Sequence, residues 1–140
     1  MTGGAGGIGL ALGKSFLKEN PKKIVLVDIN FKEFHFKNQK IICKKCDVTN
    51  ELSVQSLIDE INLDFGLIDI FCSNAGILSL GSEQTSNEDW SKNWNLHVMS
   101  HVFAAKKLLP EMLKRGSGYF VNTASAAGLL THIDSITYST

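Results

Sequence analysis

The chain has 140 residues, of which 44% are hydrophobic and 20% charged, enough apolar material for one packed domain. Fourteen basic residues balance 14 acidic ones, so the formal net charge is zero and a polyanionic partner, whether nucleic acid or an anionic membrane surface, is not expected. No stretch approaches the roughly 18 apolar residues of a membrane span, and the amino terminus lacks the basic run of a signal peptide, so a cytoplasmic location is expected.

The chain opens on MTGGAGGIGLALG. Glycines spaced in this way belong between a buried strand and a helix, where free backbone amides and the positive helix end meet a pyrophosphate. No strand precedes them in this sequence. Ile8, Leu10, Ala11, Leu12, Phe16 and Leu17 predict a helix from Gly7 to about Asn20, and Pro21 forbids its continuation. KIVLVDI, residues 23–29, has the apolar run of a parallel strand covered on both faces. After a Phe- and Lys-bearing connection over 31–40, KIICKKCDV predicts a second strand. Residues three apart on a strand point to opposite faces, so Cys43 and Cys46 should diverge instead of sharing a metal or a disulfide. With Cys72 they read as ordinary strand cysteines, and no metal is expected.

Thr49 reads as the cap of a helix whose apolar positions are Val54, Leu57, Ile58, Ile61 and Phe65, with Gly66 as its end. LIDIFCSNAG predicts a third strand running into a tight turn. SNED at 86–89 is a capping signature that opens a long helix to about Arg115, closed by Gly116, and GYFVNTAS predicts a fourth strand. Strand and helix alternating with short links imply a parallel sheet in a single α/β domain. No internal repeat, low-complexity segment or domain linker interrupts it.

Asp28 ends the first predicted strand 19 residues after Gly9, where a carboxylate can take both hydroxyls of an adenosine ribose. With this pairing in place the chain resembles the short-chain dehydrogenase/reductase family along its whole length. Thr2, Gly3, Gly7 and Gly9 fit the family's T-G-x-x-x-G-x-G turn, Asp47 and Val48 its aspartate and apolar pair beside the adenine, and Asn74, Ala75 and Gly76 its N-A-G turn. Ser125 and Tyr138 lie 13 residues apart, like the family's catalytic serine and tyrosine.

The resemblance implies a Rossmann-like doubly wound parallel sheet and an NAD-dependent oxidoreductase that passes hydride between nicotinamide and a secondary alcohol or carbonyl. It assigns Thr2, Gly3, Gly7, Ile8 and Gly9 to the pyrophosphate turn, Asp28, Ile29, Asp47 and Val48 to the adenosine, and Asn74 to Gly76 to the nicotinamide ribose side. Ser125 would hydrogen-bond the substrate oxygen, and Tyr138 would exchange a proton with it. Related NADP enzymes carry a basic residue in the glycine turn or just after the strand that ends at Asp28. Those places hold Gly6 and Ile29, so NAD is expected.

Two departures accompany the match. The family's helical asparagine, thought to hold a relay water, falls on His97, which could itself bind a water or relay protons; Asn93 lies one turn earlier on the same face. The family's lysine, four residues after the tyrosine, falls beyond Thr140, and its first, central strand lies ahead of Met1. The chain is therefore expected to be an incomplete Rossmann-like fold, an internal fragment without turnover of its own, with its glycine turn unanchored at the entry. The intact protein is expected to take a small alcohol or ketone and to form a homo-oligomer through the helix at 87–115. The alternative is a non-catalytic NAD-binding regulator or scaffold of the same fold, whereas the three-residue gap between Gly3 and Gly7 disfavours a sugar-nucleotide epimerase.

Overall fold

The computed structural model describes residues 1–31, 38–130 and 132–140, so part of the 31–40 connection lies outside the described residues. The described elements follow the expected order: α1 (Gly7–Lys18), β1 (Ile24–Asp28), β2 (Ile41–Lys45), α2 (Glu51–Phe65), β3 (Ile70–Ser73), α3 (Asn87–Trp94), α4 (Ser100–Arg115) and β4 (Tyr119–Asn122). The pairs β1–β2 and β3–β4 are both parallel, with Ile24 opposite Ile41, Asp28 opposite Lys45, Ile70 opposite Tyr119 and Ser73 opposite Asn122.

Helices cover both faces of the β1–β2 pair and one face of the β3–β4 pair. On one face Ile24, Leu26 and Ile41 pack under Leu10, Phe16 and Leu17 of α1. On the other, Val27, Cys46, Phe71 and Phe120 meet Val54, Leu57, Ile58 and Ile61 of α2 and Phe103, Leu108 and Met112 of α4. Lys107 to Asp59 (2.7 Å) and Lys44 to Glu60 (2.5 Å) tie α2 at its exposed rim. Cys43 is exposed while Cys46 is buried, so their sulfurs diverge as strand alternation requires.

Between β1 and β3 stands a single rung of chain. The Met1 ammonium donates to the Val25 carbonyl (2.7 Å), the Val27 amide donates to the Met1 carbonyl (2.9 Å), and the Thr2 amide donates to the Cys72 carbonyl (3.0 Å). The Gly4 amide then returns to the Val27 carbonyl at 2.9 Å. The entry of the glycine turn is thus anchored on both sides, contrary to expectation, because two residues suffice to reach both strands. Beyond Met1 the strand pairs part around an apolar hollow of about 280 Å³ lined by Val25, Ile61, Phe65 and Phe71. On the α1 side of the second pair, Ile70, Tyr119 and Val121 remain exposed. The sheet is that of an incomplete doubly wound fold.

Local chemistry moved several boundaries. Asn50, not Thr49, caps α2 by accepting from the Ser53 amide (2.9 Å), because Thr49 is occupied with Asp47. Ser86 caps α3 as its sequence signature requires, accepting from the Asp89 amide at 3.1 Å. The long helix runs over 87–115 as expected, but residues Asn95–Met99 form a π-helical turn between α3 and α4. Asn20 takes a left-handed conformation (φ 53°) after α1, just before Pro21.

Candidate active site

The candidate residues lie past the carboxyl ends of the strands, where open α/β sheets bind ligands. Thr2 is the hub. Its buried Oγ1 accepts from the amides of Asn74 (2.9 Å) and Ala75 (3.0 Å), and the Asn74 carboxamide donates back to the Thr2 carbonyl (3.2 Å). Thr123, just past β4, donates its hydroxyl to the Asn74 Oδ1 at 2.9 Å. Thr123 carried no sequence signal of its own. The glycine turn, the N-A-G turn and the end of β4 are thereby locked together.

Inside this clasp the glycines are a steric necessity. A Cβ on Gly9 would stand 2.2 Å from the Gly3 carbonyl oxygen, and one on Gly3, itself at φ 64°, would stand 2.9 Å from the Asn74 side-chain Nδ2. Helix α1 therefore starts closer to β3 than any side chain permits. Its first turn carries no acidic residue and no side-chain cap, which leaves backbone amides free to meet an anion. Ile8 is exposed on that turn. The residues present fit a dinucleotide pyrophosphate.

Asp28 closes the turn from the β1 side. Its Oδ2 accepts from the Ala5 amide (3.0 Å) and its Oδ1 from the Asn30 amide (3.4 Å), so the carboxylate is held against the glycine turn. Exposed Ile29 follows it. A hollow of about 420 Å³ opens beside Ile29 and Asp47 and runs to Ser53 and Ser56 of α2. Asp47 Oδ1 accepts from the Thr49 amide (2.9 Å) and hydroxyl (2.7 Å). Val48 turns its side chain into the core, so it can offer a base its backbone but not its side chain.

At the other end of the crevice, His97 sits in the π-helical turn with Nε2 3.0 Å from the Ile77 carbonyl. A carbonyl only accepts, so Nε2 carries the proton and Nδ1 is the acceptor of the neutral ring. Burial pulls His97 below its ordinary pKa, opposed by the bond to Ile77 and reinforced by nearby His101. Its ring meets that of Tyr138 edge-on, with centroids 5.3 Å apart. Gly76 completes the contact, since a Cβ there would lie 3.0 Å from His97 Cε1. The Asn93 carboxamide nitrogen donates to the Ser79 hydroxyl (3.1 Å) and to the Asp89 carbonyl (2.9 Å), while its buried Oδ1 has no partner among the described residues.

Ser125 is exposed and accepts from the Ala127 amide at 3.2 Å, capping a short 3₁₀ turn at Ala126–Gly128. The Tyr138 segment is fastened by a second unanticipated contact. Gly81 and Ser135 form a parallel bridge, with the Gly81 amide on the Asp134 carbonyl (2.7 Å), and buried Ser135 lies 2.7 Å from His132 Nδ1. His132 carried no signal in the sequence beyond its identity.

The chain matches the family model for short chain dehydrogenase over residues 1–140. It is 31% identical to an uncharacterized oxidoreductase of Staphylococcus saprophyticus, covering 99% of this chain and 58% of that protein. It is 33% identical to a probable NADP-dependent mannitol dehydrogenase of Yarrowia lipolytica, covering 95% of this chain and 51% of that protein. A short-chain dehydrogenase/reductase from Burkholderia phymatum, solved in complex with NAD, superposes with a TM-score of 0.86 at 26% identity, covering 99% of this chain and 52% of that one. The chain thus spans little more than half the length of these relatives. Glycine turn, clasp, fold and comparisons agree: the chain belongs to the short-chain dehydrogenase/reductase family of oxidoreductases.

Proposed function

We propose that the protein is an NAD-dependent oxidoreductase that interconverts a secondary alcohol and its carbonyl compound. The observation that supports this most directly is the Thr2–Asn74–Thr123 clasp, which joins three chain segments at the strand ends and sets the uncapped start of α1 beside the Asp28 carboxylate. When bound, NAD supplies the hydride acceptor. The amides of Gly7, Ile8 and Gly9 hold its pyrophosphate, Asp28 accepts from its ribose hydroxyls, Asp47 and the Val48 backbone border the adenine, and Asn74 to Gly76 border the nicotinamide ribose. Tyr138 exchanges the proton of the substrate oxygen, and Ser125 donates a hydrogen bond to that oxygen. Neutral His97 positions the Tyr138 ring through their edge-on contact. Exposed Val102, Leu109 and Leu113, on one face of α4, are the surface through which two copies associate.

The test is NADH absorbance over a panel of secondary alcohols and ketones, with the intact protein and its variants. The unaltered protein turns over. Tyr138→Phe abolishes turnover while sparing NADH binding, and Ser125→Ala costs on the order of 2 to 4 kcal/mol in transition-state stabilisation. A non-catalytic NAD-binding regulator, the competing reading, would bind NADH without turnover in every version. A Tyr138→Phe enzyme of normal rate would refute the mechanism.

A further inference from the structure

The alternation that separates Cys43 from Cys46 also places Lys45. Ile24 and Leu26 pack on the α1 side of β1, alternation puts Asp28 on the same side, and in-register partners of parallel strands share a face. Lys45 is the partner of Asp28, so the two side chains leave the same face from strands about 4.8 Å apart. The neighbouring cation, Lys44, leaves the opposite face and is consumed by Glu60 at 2.5 Å. Asp28, in turn, is occupied by the amides of Ala5 and Asn30. Lys45 is exposed, forms no hydrogen bond or ion pair among the described residues, and lines the hollow beside Ile29 and Asp47.

This places a free ammonium where the glycine turn and the residue after Asp28 supply none. A group added at the 2′ position of a ribose bound to Asp28 would emerge among the carboxylate, Ile29 and Lys45. From this juxtaposition we propose that Lys45 is a cofactor-selectivity residue: it offsets the Asp28 charge toward a 2′-phosphate, so the site prefers NAD over NADP by only a narrow margin. The inference rests on the adenosine site described under the proposed function, and it concerns the width of the preference and not its direction. Glu60 also borders the hollow, but its carboxylate is neutralised by Lys44.

The experiment is calorimetric titration of the 140-residue chain with 5′-AMP and with adenosine 2′,5′-bisphosphate, for the unaltered chain, Lys45→Met and Lys45→Glu. In the unaltered chain the extra phosphate changes affinity less than about fivefold. Lys45→Glu weakens the bisphosphate about tenfold while 5′-AMP stays within about twofold, the effect expected for reversing one surface charge several ångströms from the phosphate. Lys45→Met falls between them, and the Lys45 effect shrinks as sodium chloride rises from about 0.1 to 0.5 M, which a merely structural role would not produce. Lys45 is exposed, and unchanged far-ultraviolet dichroism of the variants checks that the fold is kept. A ratio of the two affinities that does not respond to Lys45, while 5′-AMP binds, overturns this proposal alone. Failure of the unaltered chain to bind 5′-AMP overturns the adenosine site and this proposal with it.

Discussion

Replacing Gly9 with alanine puts one methyl group where the turn has no room. The added Cβ would stand 2.2 Å from the Gly3 carbonyl oxygen and 2.8 Å from both the Gly3 carbonyl carbon and the Asn74 side-chain Nδ2. Two of these are backbone atoms of a turn pinned through Thr2 to β1 and β3, so no side-chain rotation relieves the contact. Overpacking usually costs about 1 to 3 kcal/mol, and an immovable backbone neighbour places this site at the upper end of that range or beyond. Alanine's better helix propensity returns about 1 kcal/mol, leaving a net loss of roughly 2 kcal/mol or more. Gly6→Ala is the internal control, since its Cβ would meet nothing within 4 Å and its φ of −164° is ordinary extended backbone. Losing glycine at this N-cap costs no more than about 1 kcal/mol. Urea denaturation should place the Gly9→Ala midpoint about 1 M or more below the parent and Gly6→Ala within about 0.5 M, using ordinary slopes for a domain of this size. Equal losses for the two variants, or an unchanged Gly9→Ala midpoint, would refute the account of the turn.

Thr2→Val keeps the shape of a buried side chain but strips the acceptor from the amides of Asn74 and Ala75, so it should cost about 2 to 4 kcal/mol. Thr2→Ser retains both bonds and should lose about 1 kcal/mol, so equal denaturation midpoints for the two would contradict the role of Oγ1. Burial depresses the His97 pKa in the folded chain, so its contribution to stability is full above the unfolded value near 6.5 and is lost as pH falls through the folded value. Stability measured from pH 7.5 down to 5 should therefore fall more steeply for the parent than for His97→Asn, and superimposable curves would show that His97 is not buried as described.

How much of this was legible beforehand follows from the range of the interactions involved. The strands and helices were readable because each is written in local periodicity and punctuation: the apolar run at 24–27, Pro21 after α1, and Ser86 and Asp89 at the start of α3. The placement of Gly3, Gly9 and Asp28 at one end of the sheet also follows from glycine spacing and a strand-end carboxylate, and that of Thr2 and Asn74 from the resemblance to the family's motifs. What escaped depends on residues distant in sequence. Thr123 reaches Asn74 across 49 positions, and Gly81 meets Ser135 across a bridge between two loops. The π-helical turn at Asn95–Met99 inserts an extra residue into a helical pattern without any breaker in the sequence, so periodicity alone reads through it. The cap of α2 moved by one residue because Thr49 and Asn50 are both good caps, and Asp47 decided between them by engaging Thr49. The selectivity lysine was hidden for the same reason: Lys45 becomes a neighbour of Asp28 only once the register of β1 and β2 is known.

The measurement that tests the central claim most directly is amide chemical-shift mapping of the isotopically labelled chain during titration with NAD. The account predicts saturable shifts clustered on Gly3 to Gly9, Asp28 to Asn30, Asp47 to Thr49 and Asn74 to Gly76, with the exposed amides of α2 and the far end of α4 unmoved. The same cluster should be lost in Gly9→Ala and weakened in Asp28→Ala. No saturable shifts, or shifts that gather on the apolar hollow beyond Met1 instead of the glycine turn, would contradict it.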